Sequence, residues 1–136
     1  MVLYFIYNNM RIYFVTSKMK SADTAAGSVI ELTHMMKELM RLGNDVTCVT
    51  VFSRFNDLTE PPPFKLIAEH VSSPHLFPIH WNVFKILKKH ENDCDIFHID
   101  GQFMYGGGLY RLLGGRRPVL AHLIRPPLVM DEYVSP

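Results

Sequence analysis

With 136 residues, 48% of them apolar and 20% charged, the chain has the size and composition of one globular domain with a real core, which excludes a disordered segment and two ordinary domains. Fourteen basic against thirteen acidic side chains leave a net charge of +1, too little for the basic field that holds a nucleic-acid backbone. Cys48 and Cys94 are far apart and form no C-x-x-C pair, so they read as buried free thiols of a reducing compartment.

The opening MVLYFIY lacks a basic leader, and Asn8, Asn9 and Arg11 interrupt it well short of the roughly 20 residues of a membrane span. Residues 1–9 are therefore either an extension from an upstream start or an extra edge strand. Ile12, Tyr13, Phe14 and Val15 form a run typical of a strand buried on both faces, over 12–17. A small-residue loop through Ala25, Ala26 and Gly27 follows. From Ser28 the apolar residues Val29, Leu32, Met36 and Leu39 recur at helical spacing, Ser28 and Glu31 fit a capping box, and Gly43-Asn44 predict a left-handed C-cap after Leu42.

DVTCVTVF gives the second strand and completes a right-handed crossover between parallel strands. NDLTEPPP reads as loop, because its prolines neither continue a helix nor donate to a sheet. FKLIAEHV is a weak third strand, SSPHLFP a loop, and Val83, Phe84, Ile86 and Leu87 mark a helix from about Ile79 that ends before Asp93. DIFHID is the fourth strand, MYGGGLYRLLGG a short glycine-broken helix, and RPVLAHLI the fifth strand. This alternation predicts an α/β fold: a three-layer, doubly wound, mostly parallel sheet with 12–17 central and 45–51 beside it. Its core is expected to include Phe14, Val15, Leu32, Met36, Leu39, Val46, Val49, Ile96, Phe97, Val119 and Leu120.

In such a sheet ligands bind beyond the carboxyl ends of the strands, where the loop 17–27 lies. A helix N-terminus there offers backbone N–H groups to an anion, and Ala25, Ala26 and Gly27 keep side chains out of the way. Neither the dinucleotide fingerprint G-x-G-x-x-G nor the P-loop is present. His75 and His80 suggest metal by spacing but have no Cys or acidic partner nearby, so no metal is expected. Met35, Met36 and Met40 read as helical core or neighbouring surface, KILKKHE as a solvated helix face, and His98 as a core histidine before a ligand.

MRIYFVTS…AAGSVIELTHMMKELMRLGNDVTCVTVF, DCDIFHIDG and RRPVLAHLI, taken together and in this order, resemble the N-terminal domain of glycosyltransferase family 4 over residues 10–125. The resemblance implies the acceptor-side, Rossmann-like half of a GT-B enzyme, with domain 10–136 present and a C-terminal donor domain absent. It implies transfer of a hexose from a UDP- or GDP-sugar to a sugar or lipid acceptor with retention. The nucleotide sugar would enter as donor substrate and no cofactor would be needed. Carried over position by position, it makes Gly27, Ser28, Asp100, Gly101 and Arg125 the substrate-binding residues, with Ala26, His98 and His122 secondary and the catalytic residue unassigned. Ala26 stands where the family has glycine, Asp100 where it has a second histidine, and Ile124 where it has the fifth-strand histidine.

A half-enzyme of this kind is expected not to transfer sugar alone. It would associate with a donor-domain chain or with itself through MVLYFIY and the tail RPPLVMDEYVSP, in the cytoplasm and at most at a membrane's periphery. The alternative is a non-catalytic Rossmann-like module that binds a nucleotide or sugar, or serves as an interaction domain.

Overall fold

Ile12 and Phe14 point to one side of the first strand and Tyr13 and Val15 to the other, and all four are buried. A strand buried on both faces must lie in the middle of a covered sheet. In the computed structural model, which describes residues 9–21, 27–71 and 76–122, it does. The elements run β1 (Arg11–Thr16), α1 (Gly27–Arg41), β2 (Asp45–Thr50), β3 (Lys65–Ala68), α2 (Leu76–His90), β4 (Ile96–Asp100), α3 (Met104–Leu112) and β5 (Val119–His122). The strand order is β3-β2-β1-β4-β5, and every neighbouring pair is parallel. The predicted Rossmann-like sheet with helices on both faces is present.

The two faces are filled differently. Val29, Leu32, Met36 and Leu39 seat α1 against Ile12, Phe14, Val46 and Cys48. On the opposite face Ile79, Val83, Ile86 and Leu87 of α2, with Phe103 and Tyr110, close over Tyr13, Val15, Phe97 and Ile99. No helix separates β2 from β3. A 3-10 turn (Ser53–Phe55) leads into an extended crossover that passes alongside α1 and inserts Leu58 and Phe64 into the α1-side core.

Local rules account for most boundaries. Gly43 adopts φ +95°, and the Gly43 and Asn44 amides donate to the Met40 and Leu39 carbonyls, the paired bonds of a Schellman cap. Several expectations need correction. α1 starts at Gly27, so Ser28 stands inside its first turn and is not the cap. α2 starts at Leu76, because Pro78 falls in a first turn whose N–H groups have no helical acceptor.

The MYGGG glycines do not break α3. A Cβ on Gly106 would lie 2.7 Å from Val83, and one on Gly107 would lie 2.6 Å from Ile99, so both glycines let the helix approach α2 and the sheet closely. Leu120, expected in the core, is 41% exposed, because it lies on the edge strand and points to the α1 side while α1 packs over β1 and β2. Val119 is partly buried against the other core. Residues 1–8 and the tail 123–136, with the surfaces expected to associate, lie outside the described residues. Among the described residues no helix is long and apolar enough to cross a membrane.

Candidate functional site

The carboxyl edge of the sheet gathers some of the predicted site. β1, β4 and β5 are neighbours, so Thr16, Asp100 and His122 end on one edge, and Asp100 and His122 are register partners. Asp100 is already engaged: its carboxylate accepts from the Gln102 backbone N–H at 3.2 Å and the Gln102 side-chain amide at 3.0 Å, capping the turn Gly101–Phe103. Gly101 is buried in that turn. Gly27 is exposed, and an added Cβ would meet no heavy atom of the described residues within 4 Å. Ala26 and Arg125 lie outside the described residues, and the backbone alone of Ser28 is described.

His98 is buried within β4, its ring stacked on Phe14 at 4.5 Å and set edge-on to His122 at 5.3 Å. Burial, with the neighbouring His122 adding to it, pulls its pKa down to about 4, so it is neutral at physiological pH. Asp95, the other residue carried by the fourth-strand motif, lies at the opposite, amino edge. There it accepts from the Arg11 backbone amide at 2.8 Å and pairs with the Arg11 guanidinium at 3.1 Å, which holds its pKa below the usual range. Two residues of one short motif thus serve the core and the far edge.

A second feature was not anticipated. Between α1 and the crossover lies a cleft of about 530 Å³, lined among the described residues by side chains from 19–21, α1 and 58–64. Its apolar floor is Met19, Leu58 and Phe64, and its polar groups are Lys20, Ser21, Thr33, Lys37, Thr59 and Glu60. Thr33 and Lys37 are one helical turn apart and so share a face of α1.

The far wall is held by pairing between distant segments. Lys20 forms a parallel bridge with Asp57, the Asp57 N–H donates to the Met19 carbonyl at 2.9 Å, and the Ser21 N–H donates to the Asp57 carbonyl at 2.9 Å. Asn56 ties the same wall to the sheet, accepting from the Met19 N–H and donating to the Thr50 hydroxyl, both at 2.9 Å. The Thr59 N–H donates to the Ser21 hydroxyl oxygen at 2.8 Å. Pro61, Pro62 and Pro63 complete the wall with fixed φ and no N–H donors. The lysines on the rim make no ion pair among the described residues.

The residue types were visible in the sequence, but the pairing of 19–21 with 56–59 was not. The groups present suit binding. The lining carries cations, hydroxyls and a single carboxylate, and the two thiols are remote from reactivity, since burial pushes both Cys48 and Cys94 up to about 12. Among the described residues no cluster of three metal-ligating side chains occurs.

No family model matches the chain, and no curated protein matches it. Among solved structures it is similar to the crystal structure of the C-terminal domain of a hydrogenase from Pyrococcus furiosus, at TM-score 0.50 and 14% identity over 83% of this chain and 92% of that one. A likeness at that identity carries the fold alone. The expected membership of glycosyltransferase family 4, and the sugar transfer that it implied, are therefore corrected: the solved neighbour is a hydrogenase domain, and no family model supports the resemblance. The reason is physical. The three stretches that carried the resemblance are strands with their adjoining loops and the first crossover helix, and parallel β-α-β topology calls for such patterns whatever the function.

Proposed function

We propose that the chain is a non-catalytic binding module of Rossmann-like fold and that its ligand site is the cleft between α1 and the crossover 58–64. One observation carries this reading: the cleft's outer wall is fixed in advance by the pairing of Met19, Lys20 and Ser21 with Asn56, Asp57 and Thr59. A wall ordered before the ligand arrives spares the entropy of ordering it on binding. The cleft's volume suits a small molecule, and its mixture of apolar floor and convergent polar groups is the usual make-up of a ligand site.

Backbone amide NMR on the full chain, titrated with a small-fragment library containing charged and neutral members, tests the assignment. Shifts concentrated at 19–21, 33–37 and 58–64 are expected. Shifts confined to other surfaces, or none with any fragment, would refute it.

A further inference from the structure

We infer that the cleft takes a small hydroxylated phosphate monoester, with the phosphate between Lys20 and Lys37 and a hydroxyl donating to Glu60; this rests on the binding-module reading above. The charge pattern is the first ground. Among the described residues two ammonium groups and one carboxylate line the cleft, an excess of one positive charge there that favours a ligand of net negative charge.

The second ground is the placement of the two cations. Lys20 sits on the segment pinned to Asp57, while Lys37 stands on α1, so the two cations reach the cleft from different elements. A tetrahedral phosphate presents several acceptor oxygens and can be met by donors from two elements at once, whereas one planar carboxylate has its two oxygens in a single plane.

The third ground is Glu60. A carboxylate on the rim repels a bare anion and accepts hydrogen bonds from hydroxyls. It therefore discriminates a phosphate carried on a hydroxylated body from inorganic phosphate. The floor of Met19, Leu58 and Phe64 offers the carbon skeleton of that body an apolar seat.

Amide NMR and calorimetry with the full chain, using ribose 5-phosphate, inorganic phosphate, ribose and benzyl alcohol as probes, decide the matter. Ribose 5-phosphate is expected to shift the amides of 19–21 and 58–60 and to bind at least tenfold more tightly than ribose or inorganic phosphate. Lys20→Ala and Lys37→Ala should each weaken it about tenfold or more, Lys37→Arg should retain most of the affinity, and raising salt should weaken binding further. Glu60→Gln should narrow the gap between ribose 5-phosphate and inorganic phosphate.

Equal affinity for ribose and its phosphate, or full affinity in both alanine variants, would overturn the inference. So would inorganic phosphate binding as tightly as the ester, which would mark an adventitious anion only. If benzyl alcohol shifts the cleft amides and the phosphorylated probe does not, the ligand class is wrong and the binding cleft stands. If no probe shifts them, the phosphate-ester inference falls, and the fragment titration above decides the cleft separately.

Discussion

The two faces of the sheet are finished to different standards. On the α2/α3 face, glycines at 106 and 107 remove side chains so that helices and sheet meet closely, and Gly115 leaves room for the Tyr110 ring, which an added Cβ would approach to 2.4 Å. The Tyr110 hydroxyl donates to the buried Glu91 carboxylate at 2.7 Å and accepts from the Arg117 N–H at 3.0 Å. On the α1 face a single helix and an irregular crossover share the cover, and a cleft remains between them. Close packing fixes one structure, whereas a pre-formed gap whose rim lysines make no ion pair among the described residues leaves room for a ligand. On the proposed reading the closed face serves stability and the open face binding, and perturbing each face tests that division.

The largest effect is expected from crowding the closed face. Gly106→Val adds a Cβ within 2.7 Å of Val83 and 3.0 Å of the His80 carbonyl, and Gly115→Ala presses on a Tyr110 ring whose hydroxyl is already held. Each is expected to lose about 3 kcal/mol or more, at or beyond the upper end for overpacked cores. Gly108 is the internal control: it is exposed with open space around it, so Gly108→Ala should gain about 0.5–1 kcal/mol from helix propensity alone. Urea unfolding midpoints measure all three. A Gly106→Val protein as stable as the parent would mean that the face is loosely packed.

Next comes the charge buried in that face. Glu91 accepts from Tyr110 and from Lys88 at 3.0 Å, and the Tyr110 hydrogen bond followed by the Lys88 one pulls its pKa down to about 2. A depressed carboxylate binds fewer protons when folded than when unfolded. Its contribution is therefore complete above the unfolded value near 4.5 and is lost as the pH falls toward 2. A shift of this size sets an upper bound of about 3 kcal/mol, which solvent screening of the exposed Lys88 partner reduces. Glu91→Gln should be markedly less stable at pH 7 and should flatten the acid limb between pH 4.5 and pH 2. Denaturation curves across that range with the same slope in parent and variant would remove Glu91 as the cause.

How much of this was legible depends on how far apart the cooperating residues lie. β1 was readable because the residues on both of its faces are apolar, and the α1 C-cap because Gly43 follows directly on the last helical turn. The Glu91 hub was not. KILKKHE reads as a solvated face, and Lys88 and Lys89 are exposed, yet His90 and Glu91 are buried. Glu91 is covered by Tyr110 and the Arg116–Arg117 turn, which arrive 19 to 26 residues later in the chain. The cleft was hidden for the same reason: Lys20 and Asp57 look like independent loop residues until tertiary structure pairs them. Local motifs at strand ends report topology, and they misled where topology was taken for chemistry.

The smallest effect on stability is expected on the open face. Lys37 is exposed, Lys20 half-buried, and neither makes an ion pair among the described residues, so each alanine variant should stay within about 0.5 kcal/mol of the parent. Two cations around one cleft repel each other, so Lys20→Ala with Lys37→Ala should leave stability unchanged or slightly raised at low salt. That difference should fade as added salt screens the charges. Such an outcome would show that folding does not need these charges, as the proposed binding role requires. Thermal melts of the double variant at low and high ionic strength, run beside the parent, give the answer. A loss of more than about 1 kcal/mol, beyond the range of ordinary surface substitutions, would show that these lysines brace the crossover. The open face would then serve folding no less than the closed one does.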